Sequence, residues 1–150
     1  MKKIYLLALA FFCLNCSNDD KIDNVPKALK QFLNKELKEV KIEYYFNGKL
    51  SSIETETEIK CAKDEFIKFN SDMSVDVRYF ELVDGECLRS TQNDNLINTY
   101  KIEEDQIIFN SRNNNGMSVS NSERFEVRKD TLVLETIDLP SIDLSFYVLK

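Results

Sequence analysis

The 150-residue chain has no histidine and no tryptophan. Without histidine there is no Ser-His-Asp or Cys-His machinery, and no His-based zinc or copper site. Long apolar runs are missing too. The longest, Ile4 to Leu14, has eleven residues, short of the roughly 20 that a helix needs to cross a bilayer. Cationic excess is also absent. There are 20 Lys and Arg against 26 Asp and Glu, for a formal charge of -6, and no basic patch interrupts this balance. Such a chain repels nucleic acid. Paired acids could in principle hydrolyse a glycoside, but only across a cleft, and 26 acids offer many chance pairs. No catalytic constellation stands out, so no enzyme activity and no cofactor are expected.

What the chain does have begins at its N-terminus. Lys2 and Lys3 precede the apolar run, and Asn15-Cys16-Ser17-Asn18-Asp19-Asp20 ends it with an abrupt jump in polarity. This pattern has the layout of an export signal and resembles a bacterial lipoprotein signal peptide. The resemblance implies cleavage before Cys16 and acyl chains, such as palmitate, on that cysteine. It departs from the usual motif in having Asn15 before the cysteine. Cys13 fits less well, because the apolar run continues past it. The alternative is an ordinary signal peptide, with Cys16 a plain thiol. Acyl chains add about 0.8 kcal/mol of membrane affinity per buried CH₂, so two or three would hold the protein to a membrane. Ser17 to Asp20 also resembles the acidic tag of surface-displayed Bacteroidetes lipoproteins; otherwise it is a solvated linker. The expected location is the outer membrane, facing the surface or the periplasm. The expected divisions are residues 1–15 as signal peptide, 16–25 as acidic linker and 26–150 as one domain.

Loss of Lys2 and Lys3 takes the formal charge from -6 to -8. The remaining length suits one domain with a real core. Cys61 and Cys87 would then sit in an oxidising compartment, where disulfides persist. A bridge would close a loop of about 27 residues, for which chain entropy gives on the order of 3–4 kcal/mol. The alternatives are two buried free thiols or a fragment of a metal site. The metal site lacks partners, since no histidine and no third mature thiol exist.

Pro26 to Leu37 reads as the one helix. Proline suits a first turn, and Ala28, Leu29, Phe32, Leu33 and Leu37 are spaced to form an apolar face. From Lys38 the period changes to two. Val40, Ile42, Tyr44 and Phe46 alternate with Lys41, Glu43 and Tyr45, and Asn47-Gly48 has the chemistry of a type I′ turn. Further strands follow at Phe66–Phe69, Val75–Phe80, Thr99–Ile102, Ile107–Phe109, Met117–Val127, Thr131–Thr136 and Ser145–Val148. Asp84-Gly85 makes another turn. Eight or nine strands with regular turns predict a mainly β fold, an antiparallel meander in a sandwich or an up-and-down barrel. A barrel is preferred, because closure removes exposed edges.

Several stretches carry a family resemblance in their order. They are Cys61, Phe66 to Asn70, Tyr79 and Cys87; then Thr99 to Ile102 with Ile107 to Phe109; then Glu123 to Phe125 with Asp130 to Leu134. Together they resemble the lipocalin-like domain of small Bacteroidetes lipoproteins. The resemblance implies an eight-stranded antiparallel barrel, one short N-terminal helix, an internal cavity and a disulfide between Cys61 and Cys87. That family opens its first strand with a Gly-x-Trp element whose indole plugs the barrel floor. Here the stretch reads Leu33 to Leu37, so Phe32 or Leu37 must close the floor instead.

The pocket candidates are aromatic: Phe69, Tyr79, Tyr100, Phe109, Phe125 and Phe146. They could line a cavity for one small ligand or simply fill the core. Glu54-Thr55-Glu56-Thr57-Glu58 would put three carboxylates on one strand face, either as a Ca²⁺ site or as a solvated outer face. Asn113 to Gly116 offers amides for a sugar or is a plain loop. Asp130-Thr131-Leu132 fits a short glycosylation site of Bacteroidetes or is a turn into a strand. Two functions follow as expectations. One is a lipid-anchored binding protein for a small apolar or amphipathic ligand. The other is an interaction protein whose filled barrel presents loops to a protein or glycan.

Overall fold

The computed structural model describes residues 25–58, 61, 64–90, 97–112 and 115–150. The leader, Cys16, the acidic linker, Asn113 and Asn114 lie outside the described residues. The chain is mainly β, a nearly closed antiparallel barrel of eight strands, with one short helix among the described residues. The helix α1 spans Lys27–Lys30. The strands are β1 (Glu36–Phe46), β2 (Lys49–Thr55), β3 (Phe66–Phe69), β4 (Val75–Arg78), β5 (Phe80–Val83), β6 (Glu86–Arg89), β7 (Ile97–Glu103), β8 (Gln106–Arg112), β9 (Ser118–Arg128), β10 (Thr131–Asp138) and β11 (Ser141–Leu149). Around the barrel the order is β4-β3-β1-β11-β10-β9-β8-β7. Asn47-Gly48 (φ 50° and 73°) and Asp84-Gly85 (φ 51° and 88°) both turn with positive φ, as a type I′ hairpin requires.

There are more strands than the eight or nine expected, because two long strands are each divided. β3 pairs with β1 at Glu36 and Leu37, while β2 pairs with it from Lys41 to Phe46. Both use the same edge of β1, so they form one line that breaks between Thr55 and Phe66. Similarly, β5 continues β4 beyond Tyr79. Among the described residues β5 and β6 pair only with each other. The disulfide Cys61–Cys87, with Cα atoms 5.5 Å apart, ties this hairpin to the interrupted stretch.

The helix is shorter than its periodicity predicts. Only Lys27–Lys30 is α-helical, and turns follow. Asn34 takes φ 60°. Its N–H donates to the Phe69 carbonyl at 2.7 Å, and its side-chain Oδ1 accepts from the Ser71 N–H at 3.0 Å. Leu37 is therefore not helical. It lies in β1 opposite Leu149 and Ile67, where ladder bonds and burial outweigh helical spacing.

The helix and its turn lie across one end of the barrel. Val25, Leu29 and Phe32 pack there with Leu37, Phe69, Tyr100, Ile107 and Leu132. Phe32 is 1% exposed and Leu37 is completely buried, so both close the floor where the resemblance places a tryptophan. Phe69 and Tyr100 meet edge to face at 5.2 Å between centroids, an arrangement worth about 0.5–1.5 kcal/mol beyond area burial. The Tyr100 hydroxyl donates to the Asn70 carbonyl at 3.0 Å. Burial pushes the pKa of that hydroxyl up to about 12. The barrel also closes at this end. Ser74 bridges Thr99, and the Tyr100 N–H donates to the Met73 carbonyl at 2.9 Å. Phe32→Ala should empty the floor and cost about 3–5 kcal/mol, read as a fall in the urea midpoint followed by circular dichroism.

Candidate functional site

The inward side chains change character along each strand, from apolar at the floor to polar at the other end. On β7 they run Ile102, Tyr100, Asn98; on β8 Ile107, Phe109, Ser111. On β9 they run Val127, Phe125, Glu123, Asn121; on β11 Leu149, Tyr147, Ser145, Asp143. The register fixes these faces, since Tyr100 lies opposite Phe109 and Phe109 opposite Asn121. Apolar side chains pack to the floor. Polar ones cannot fill the far half, which holds a cavity.

The cavity has a volume of about 270 Å³, near the lower end for ligand pockets. Its apolar wall is Ile67, Val75, Val77, Phe109 and Leu134, and its polar wall includes Tyr79, Asn98, Ser111, Asn121, Glu123 and Tyr147. Both β4 and β7 contribute, so the cavity lies along the seam between them, where Ser74 bridges Thr99. A recess of about 40 Å³ shares Ile67, Val77, Tyr79 and Tyr147 with it and adds Glu39 and Glu65.

The titratable groups feel this enclosure. Burial raises the Glu39 carboxyl above its usual range, against hydrogen bonds from Ser145 and Tyr147, and Glu65 and Glu54 add repulsion. Burial also raises Glu123, against a hydrogen bond from Thr136, and Glu39 adds to it. The Tyr147 hydroxyl is held well above its usual value, first by burial and then by the charges of Glu39 and Glu123. Tyr79 shifts the same way for the same reasons. Four oxygen-bearing side chains, on β1, β9, β11 and the link between β4 and β5, therefore share one field.

Of the six aromatic candidates, Tyr79 and Phe109 line the cavity. Phe69 and Tyr100 lie in the packed floor beneath it, and Phe125 packs against the same core. Phe146 is a correction. It pairs with Lys41 and Val133 on the outward face, and the Lys41 Nζ sits 3.7 Å from its ring centroid. The Lys41 ammonium and the Arg128 guanidinium lie over it from outside, so its burial does not mean that it points inward. The three glutamates do not converge either. β2 ends at Thr55, Glu56 pairs with Lys38, and Glu58 accepts from the Thr55 N–H at 2.9 Å and Oγ1 at 2.8 Å. Self-capping of a turn replaces the single strand face that alternation suggested. Asp130 lies in the β9–β10 turn, Thr131 opens β10, and Leu132 is fully buried. The Asn113–Gly116 stretch is described only at Asn115 and Gly116.

The sequence reading missed Glu39, Glu123 and Tyr147. Glu123 had a visible signal, a carboxylate in phase with Phe125 and Val127. Glu39 was hidden by the register shift between Glu39 and Lys41. No known protein family, curated protein or solved structure matches this chain. The site is therefore read from its own chemistry.

The raised Glu123 carboxyl makes a prediction about pH. A carboxyl whose folded pKa exceeds its unfolded value binds its proton more tightly when folded. The stability so gained is fully present below the ordinary value of 4.5 and is lost as pH rises through the folded value. Glu123→Gln removes this loss and keeps an acceptor for Thr136. The variant should melt close to the wild type at about pH 4 and above it at about pH 8, as followed by thermal scans across that range.

Proposed function

We propose that this protein is a non-enzymatic, lipid-anchored, lipocalin-like carrier that holds a small amphipathic ligand in its barrel. The cavity of about 270 Å³ carries the reading. Eight strands leave room for one small ligand at most. The mixed wall favours an amphipathic ligand over a purely apolar one, because an apolar ligand would strand Asn98, Asn121 and Glu123 without water. The anchor is acyl chains on Cys16, supported by the polarity jump after Leu14, with the domain at the outer membrane.

A second reading has its own observation. The β1–β2 and β10–β11 hairpins meet where the Asn47 N–H donates to the Pro140 carbonyl at 3.1 Å. They expose Phe46, Leu50, Ile53 and Leu139, so the barrel could present this end to a protein partner.

Native mass spectrometry decides between them, using the full chain purified from an exporting host after exposure to a lipid extract. A carrier gives a reproducible adduct, which Phe109→Trp removes by filling the cavity. A bare wild-type mass would transfer support to the interaction reading. The anchor has a separate test. Cys16→Ser should move the protein from the membrane fraction to the soluble fraction and abolish labelling by radioactive palmitate.

A further inference from the structure

The barrel sorts its charges by face. In the strands that line the cavity, Lys68, Arg78, Lys101, Arg112, Arg124 and Arg128 all stand at outward positions, each beside a residue that points inward. β10 and β11 contain no cation at all. Inward positions hold Glu39, Glu123 and Asp143 instead. Arg78 lines the recess together with Phe66, its guanidinium carbon 4.7 Å from that ring centroid, and no cation lines the main cavity. Among the described residues, neither Glu39 nor Glu123 has a cationic partner.

Resting on the reading of the cavity as a ligand site, we propose that its ligand is a small organic cation, an amine or quaternary ammonium group on a short apolar body. A carboxylate partly screened from water gains from a proton or a cation, and Glu123 in the cavity and Glu39 in the adjoining recess oppose each other's ionisation. An ammonium group between Glu39 and Glu123 answers both needs. The rings of Tyr79, Tyr147 and Phe109 in the same enclosure supply cation–π attraction. Ile67, Val75, Val77 and Leu134 form the wall that takes the apolar body. A metal ion fits poorly. Ca²⁺ needs six to eight oxygens converging on one point, and no described group of three acidic or thiol side chains is placed to hold one. In the main cavity an anion would meet the Glu123 carboxylate and no opposite charge.

Titration calorimetry on the full chain in neutral detergent, at about pH 7.5, tests the charge directly. Three probes of matched size are 2-phenylethylamine, 2-phenylethanol and 3-phenylpropionate. The amine should bind at least about tenfold more tightly than the alcohol, and the acid should not bind. Glu39→Gln with Glu123→Gln should reduce the amine to the affinity of the alcohol and leave the alcohol unchanged. Glu123→Gln alone, which keeps the Thr136 hydrogen bond, should give part of that loss and covers the case in which the double variant fails to fold. Equal binding of amine and alcohol, tighter binding of the acid, or amine binding untouched by both substitutions overturns the cationic ligand. Alcohol binding would then leave the carrier reading standing. Silence from all three probes overturns the cationic ligand, and a bare native mass alongside it removes the carrier as well.

Discussion

The antiparallel pairing of β1 with β11 constrains everything else. It runs from Leu37 opposite Leu149 to Phe46 opposite Ser141, and it occupies one whole edge of β1. Only the other edge is left to complete the barrel. β2 claims the part from Lys41 to Phe46, and β3 claims Glu36 and Leu37. Two strands on one line cannot be joined by a tight turn. β2 ends at Thr55 and β3 begins at Phe66. Cys61 lies between them, and its bond to Cys87 carries the β5–β6 hairpin with it. With that hairpin outside the main sheet, β4 and β7 meet, among the described residues, at the bridge of Ser74, just before β4, with Thr99. The seam and the cavity beside it follow from how β1 shares its edges.

A second consequence lies in what faces inward. A barrel of eight strands is narrow, so each inward side chain either fills space or borders a void. At the floor Phe32, Leu37, Ile107 and Leu132 are buried almost completely, and α1 seals the end. At the far end the same phase carries Asn98, Ser111, Asn121 and Glu123. Short polar side chains neither fill the bore nor tolerate a dry core, so this half stays open. Enclosure then acts on the acids within it. Burial leads the causes that raise both Glu39 and Glu123, with repulsion between nearby carboxylates after it.

Much of this was legible residue by residue. The alternation after Lys38 separated the two faces of β1 beyond its bulge. Asn47-Gly48 and Asp84-Gly85 marked their turns, and Cys61 with Cys87 their bridge. The exclusion of tryptophan pointed to Phe32 or Leu37 as the floor, and both are there. Less was legible where two long strands divide. Val75 to Phe80 reads as one alternating run, yet β4 and β5 join different sheets. Glu54 to Glu58 alternates without a break, yet β2 stops at Thr55. In each case the pattern is local, while pairing depends on a partner far along the chain.

Phe146 shows where the boundary falls. By itself the sequence determined the mainly β character, most of the strands, the turn chemistry and the sorting of charge and apolar residues into alternating phases. These depend on neighbours one or two residues away, and the backbone pleat expresses them directly. Which phase faces the bore was decided only by the tertiary structure. Phe146 and Tyr147 are both aromatic and adjacent, and either could have pointed inward. The pairing of Tyr147 with Glu39 and Leu132 put it inside, and the cationic groups of Lys41 and Arg128 over the Phe146 ring gave Phe146 a buried place outside. A shift of one residue in register would exchange the two, and with them the chemistry of the cavity.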